Sequence, residues 1–195
     1  MELIKQILWQ RLFLAGVLAR LSLIFLVEPS AAITFYIPFL DSGVSAFSLN
    51  PWFEWKSSGG SELAFPYGMA MYLVFVPAFL VGDFLSVPPS LSYFLTIFII
   101  EFLLLIGLSK VIKGNISLIT ALFWFSPVNL VALYCYGFND IVPACFLFWS
   151  VWLLYNQKWL GSGILLAFAV SAKLSMIIAC PIVLLYFLRN SNLQS

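Results

Sequence analysis

Six apolar runs follow one another along this chain, the last five with little between them, at residues 7–27, 67–85, 91–109, 116–134, 141–155 and 160–188. A helix needs about 20 apolar residues to cross a bilayer. The runs therefore predict an all-α fold: a polytopic transmembrane bundle of about five or six helices. Composition agrees, with 63% hydrophobic residues, 9% charged and a mean hydropathy of +1.07. Soluble domains carry about 25% charged residues, so nine basic and eight acidic side chains cannot cover a water-facing surface of this size. The later connections are short and force antiparallel neighbours. No linker or repeat divides the chain, so residues 1–195 read as one transmembrane domain.

Charge and composition exclude several functions. The net charge of +1 is not gathered into a basic patch, which argues against a nucleic-acid partner. The chain has no histidine, which removes Ser-His triads, histidine bases and zinc-histidine sites. No metal site is expected and no cofactor is implied. Cys135, Cys145 and Cys180 lie in apolar runs and read as reduced packing residues.

The first run carries Arg20 in its apolar core, which argues for a retained helix over a cleaved signal, although residues 29–32 resemble a weak cleavage site. Lys5 and Arg11 favour a cytoplasmic N-terminus and place the first loop outside. Strict alternation would then put Lys110, Lys113 and Lys158 outside too, against the same rule. A segment between residues 66 and 109 that dips in without crossing removes the conflict, provided protein or a watery cavity satisfies its backbone. The sequence leaves both arrangements open.

The extracytoplasmic first loop, residues 28–65, is long for a compact bundle and is acidic, with Glu28, Asp41, Glu54 and Glu62 against Lys56. Its aromatics Phe35, Tyr36, Phe39, Phe47, Trp52, Phe53 and Trp55 suit short interfacial helices resting on membrane lipids, or simply an interface belt. A carboxylate held at the water boundary is placed to act as a general base on a lipid-borne substrate.

Two later regions also carry polar chemistry. Residues 126–129 (Ser-Pro-Val-Asn) break an apolar run, and 136–140 (Tyr-Gly-Phe-Asn-Asp) turn the chain. Lys173 and Glu101 interrupt apolar sequence, where a charge costs several kcal/mol unless a partner or cavity receives it. Lys173 has a dozen or so apolar residues on each side, so snorkelling to an interface is strained. Glu101 reads as a partner for a charge on a neighbouring helix, or as a functional carboxylate.

Taken in order, these pieces resemble the GT-C superfamily of polytopic glycosyltransferases, which draw sugar from polyprenyl-phosphate carriers. The resembling parts are Arg20 in the first helix, a carboxylate in a long outward first loop, and Asn50-Pro51-Trp52. Phe65-Pro66-Tyr67-Gly68 entering the next helix, Ser126-Pro127 followed by Gly137 and Asp140, and Lys173 with Pro181 complete the pattern. Members of that family are longer and have more helices, so the likeness is to the N-terminal part of a larger module or to a short form. It implies transfer of a sugar from a lipid-linked donor by inverting displacement. Asp41 would be the base, with Glu54 and Glu62 as alternates. Lys173 and Arg20 would hold the donor phosphate, and Tyr67, Asn139 and Asp140 would line the sugar or acceptor site. The implied partners are the donor, membrane lipids and a membrane subunit, in a bacterial inner membrane or the endoplasmic reticulum. Two other readings stand beside this one: a small-solute or lipid transporter using Lys173, Glu101 and Asp140 as its path, and a non-catalytic subunit of a glycosylation complex.

Overall fold

A computed structural model describes residues 2–46, 48, 50–112 and 115–191; Phe47 and Lys113 lie outside the described residues. These residues form helices joined by turns, with no strand among them. In chain order the helices are α1 (Glu2–Leu8), α2 (Arg11–Leu26), α3 (Ile37–Ser45), α4 (Pro51–Ser57), α5 (Met69–Phe84) and α6 (Pro89–Val111). They continue with α7 (Ile116–Trp124), α8 (Pro127–Cys135), α9 (Ile141–Tyr155), α10 (Trp159–Ala172) and α11 (Cys180–Ser191).

Proline and asparagine set several helix starts. Pro51, Pro89 and Pro127 stand in the first turns of α4, α6 and α8, where a missing N–H costs nothing. The side chains of Asn50 and Asn115 accept from Phe53 N and Ser117 N at 3.3 and 2.9 Å, capping α4 and α7.

The expected five or six crossings are not matched by as many long helices. Only α6, with 23 residues, is long and apolar enough by itself among the described residues. Two bent pairs meet the same test if each is one span: α1 with α2, bent by 63°, and α7 with α8, bent by 40°. The break between α7 and α8 falls at Phe125-Ser126, where Pro127 removes a backbone donor. The last apolar run is divided at Lys173 into α10, a 3₁₀ segment Leu174–Ala179, and α11. The helices nevertheless turn apolar side chains outward: Phe84 is 87% exposed, Leu26 83% and Leu160 81%. So broad an apolar exterior suits contact with lipid or another apolar partner.

The run at 67–85 does not traverse the bundle. α6 and α9 run parallel: the Tyr93 hydroxyl donates to the Gly137 carbonyl just before α9, and Gly107 meets Phe148 farther down. α10 returns antiparallel, with Ser150 joined to Ser162 and Phe146 stacked on Phe168. The start of α6 and the end of α10 therefore share one end of the molecule. α5 begins there, where Gly68 N–H donates to the Ala172 carbonyl, and also ends there, with Gly82 against Ser92. Its 16 residues span about 24 Å, and both ends stay at one level.

The first loop folds onto that same end. A π-helical turn, Ala32–Tyr36, leads into α3, whose Phe39, Leu40 and Val44 are buried with Phe65 and Phe75. Phe39 stacks on Phe65 at 4.7 Å, and Trp52 Nε1–H donates to the Phe65 carbonyl at 3.0 Å. These contacts make the loop a packed layer rather than a tether.

Candidate functional site

The polar groups of the loop end converge on Lys173. At this residue α10 stops: its backbone is extended (φ −146°, ψ 116°), while its N–H still donates to the Ala169 carbonyl. The ammonium pairs with the Asp140 carboxylate at the start of α9. A cation at a helix C-terminus facing an anion at a helix N-terminus matches both helix dipoles, so the pair clasps the open end of the α9–α10 hairpin. Both side chains keep contact with the exterior, at 33% and 54% exposure.

Tyrosines form the wall. The Lys173 ammonium lies 5.9 Å from the centre of the Tyr67 ring, within cation–π range. The Tyr67 hydroxyl donates to the Tyr36 hydroxyl at 3.2 Å, and burial together with this bond pushes the Tyr67 hydroxyl well above the usual phenol range. Tyr67 therefore stays neutral and serves as a donor. Tyr36 in turn faces Tyr93, with ring centres 6.4 Å apart, and Tyr93 donates to the Gly137 carbonyl at 2.7 Å.

Gly137 shapes the turn. It sits at φ +75°, and a Cβ there would come 2.5 Å from the Ala32 Cβ. Lacking one, it lets residues 29–32 lie against the turn, where Ala31 N–H donates to the Tyr136 carbonyl at 3.2 Å. Asn139 follows, fully buried, with neither its amide oxygen nor its amide nitrogen hydrogen-bonded to another described residue. A buried amide without partners costs about 1–3 kcal/mol. Its donor and acceptor are both unused, next to Asp140 in the chain, and neither reaches the exterior.

The first-loop carboxylates are arranged differently. Asp41 stands on the exposed side of α3; partial burial and then the Asp83 carboxylate push its carboxyl above the usual range. No hydrogen bond or ion pair joins it to Lys173, Asp140 or Asn139. Glu62 is ion-paired with Lys56 in full contact with the exterior, which holds its carboxyl low. Glu54 is exposed on α4.

Arg20 lies elsewhere. It is fully buried in α2, and every nitrogen of its guanidinium is engaged. Nε and Nη2 donate to the two oxygens of Glu101 at 2.9 and 2.5 Å, Nη1 to the Gly16 carbonyl at 2.8 Å, and Nη2 also to the Trp124 carbonyl at 2.6 Å. Arg20, expected at a donor phosphate, instead has its guanidinium engaged inside the bundle, where it ties α2 to α6 and to the broken end of α7. Glu101, also fully buried, accepts a third bond from the Tyr134 hydroxyl at 3.0 Å. It is a partner for a neighbouring helix.

Of the residues expected at a site, Lys173, Asp140, Asn139 and Tyr67 are together, while Asp41, Glu54, Glu62 and Arg20 are not among them. Tyr36 and Tyr93 join the cluster without having been singled out for it. Tyr36 was submerged in a series of interface aromatics, and Tyr93 in an apolar run. An apolar cavity of about 380 Å³ lies between α2, α5 and α6, lined by residues such as Val17, Ile24, Val81 and Phe98. Its one charged neighbour is Arg20, already engaged, so the polar chemistry rests at the Lys173 end. Comparison with protein-family models, with curated proteins and with solved structures gives no match to this chain.

Proposed function

We propose that the chain is a multi-pass membrane glycosyltransferase, or the N-terminal part of one, that takes sugar from a polyprenyl-phosphate donor on the extracytoplasmic side. The observation that carries the proposal is the meeting of a cation, a buried unpartnered amide and a tyrosine wall under a folded first loop. Lys173 supplies a compact point charge for the donor phosphate, which displaces Asp140 from it. Asp140 then meets sugar hydroxyls, with the unused Asn139 amide behind it, and the Tyr67 ring offers a face to the sugar. Asp41 takes the proton of the acceptor hydroxyl. The acceptor oxygen attacks the anomeric carbon, the bond from that carbon to the phosphate oxygen breaks, and the polyprenyl phosphate leaves with its charge neutralised by Lys173. Asp41 would reach the acceptor from the water side of α3.

The charge distribution supports the orientation. Glu28, Asp41, Glu54, Glu62, Asp83 and Asp140 gather at the end with the first loop, beside Lys56 and Lys173. Lys5, Arg11, Lys110, Lys158 and Arg189 gather at the other, beside Glu2. The cluster that holds Ile7 with Leu105, and the contacts of Lys110 with Trp149 and Trp159 with Phe187, mark that second end. With α5 kept at one level, the later lysines return to the side of the N-terminus, as the positive-inside rule requires. The engagement of Glu101 by Arg20 and Tyr134 weighs against a transport path through that carboxylate.

The test is transfer from a polyprenyl-phosphate sugar in membranes carrying the chain. Lys173→Met should lower it at least about tenfold, the loss of roughly 1.4 kcal/mol of transition-state stabilisation, with expression unchanged. Full activity in Lys173→Met would remove Lys173 from the donor site.

A further inference from the structure

At the end opposite the loop, α6 and α9 leave a cleft of about 790 Å³ between Lys110, Val111, Phe148, Val151, Trp152 and Tyr155, with Asn156 at its rim. Ordinary ligand sites occupy about 300–1,000 Å³. Gly107 lets the two helices close above it, since a Cβ there would come 2.4 Å from the Phe148 ring. Lys110 is exposed and makes no ion pair among the described residues; its ammonium lies 5.6 Å from the centre of the Trp149 ring. Among the described residues Glu2 is the one acidic side chain at this end, where Lys158 adds a second positive charge. The Asn156 amide nitrogen donates to the Trp152 carbonyl at 2.7 Å, which leaves its oxygen for a hydroxyl.

We infer that this cleft binds one anionic phospholipid, its phosphate on Lys110 and an acyl chain along Val111, Phe148 and Val151. An ammonium with three donors and no acidic partner among the described residues attracts a phosphate. Tryptophan and tyrosine at a helix end mark the depth at which lipid headgroups lie. The apolar wall below the charge distinguishes a lipid from a soluble anion, which would leave Val151, 49% exposed, against water. The inference rests on the membrane reading of the chain and is independent of sugar transfer; the orientation above assigns the lipid to the cytoplasmic leaflet.

The test is native mass spectrometry of the full chain purified in uncharged detergent and mixed with phosphatidylglycerol and phosphatidylcholine. The unaltered chain should retain phosphatidylglycerol at least about threefold over phosphatidylcholine. Lys110→Gln should abolish that preference, and Lys158→Gln should keep most of it. Val151→Trp fills the cleft without touching the charge and should also abolish retention, which decides the matter if Lys110→Gln does not fold. Equal retention of the two lipids, an unchanged preference in Lys110→Gln or Val151→Trp, or displacement of the lipid by inorganic phosphate would each overturn the inference.

Discussion

Arg20 on α2 and Glu101 on α6 meet side by side in the bundle, both without exposure, joined by two hydrogen bonds of 2.9 and 2.5 Å. The guanidinium also lies 3.8 Å from the centre of the Trp124 indole ring. One pair therefore fixes three helices: α2 and α6 directly, and α7 through the carbonyl that its broken end leaves free.

Removing one member should leave the other's charge buried without its counter-charge, held only by the Tyr134 hydroxyl for Glu101 or by the Gly16 and Trp124 carbonyls for Arg20. Glu101→Gln or Arg20→Met should each destabilise the chain by about 3–5 kcal/mol. The double variant Arg20→Met/Glu101→Met should recover much of that loss, because neither charge then remains buried. Thermal unfolding in one detergent reads all three. Additive losses in the double variant would show that the residues act separately.

Gly68 controls the joint between the first loop and α10. A Cβ there would lie 1.9 Å from the Ser171 carbonyl oxygen, a backbone atom that cannot swing aside. Gly68→Ala should force α5 away from α10 and disturb Tyr67, at about 1–3 kcal/mol of stability. Gly163, whose Cβ would meet nothing within 4 Å, is the control: Gly163→Ala should leave stability unchanged or slightly raised. Unfolding of the two variants side by side decides this.

The helical class was legible because apolar runs of this length leave few other folds. The Lys173–Asp140 site was legible in part, since a lysine within apolar sequence and an Asn-Asp turn each demand partners. What stayed hidden was three-dimensional. The hydrophobicity of residues 67–85 does not reveal that both ends of α5 lie at one level, which depends on the Gly68–Ala172 and Gly82–Ser92 contacts. Arg20 and Glu101 each stand out as charges in apolar sequence, but 81 residues separate them, and nothing local pairs them. The acidic loop points to Asp41, but its neighbour Asp83 belongs to another helix.

Asp41 carries a pH dependence whose sign follows from its raised pKa. Between the ordinary aspartate value and the raised folded value, the folded chain holds more protons than the unfolded one, so stability falls as pH rises through that window. Asp41→Asn should flatten this slope. If Asp41 is the base, transfer should instead rise with pH through the folded value. Asp83→Asn removes the neighbouring negative charge and should shift that rise to lower pH. An unmoved profile in Asp83→Asn would separate Asp41 from the catalytic step.

The level course of α5 makes a prediction that strict alternation does not. Single cysteines at positions 41, 86 and 158, in a chain without Cys135, Cys145 and Cys180, report three turns of the fold. Ser86 lies between α5 and α6, and Lys158 between α9 and α10. With α5 held at the loop end, positions 41 and 86 face the same side of the membrane. Both should react with a membrane-impermeant thiol reagent in intact cells, while position 158 should react only after permeabilisation. Residue 86 has a backbone φ of 55°, so its exchange to cysteine keeps a strain already present and adds one sulfur in place of oxygen. Labelling of 41 together with 158, but not of 86, would mean that α5 crosses. Labelling of 158 in intact cells with 41 and 86 protected would invert the chain and place the Lys173 site on the cytoplasmic side.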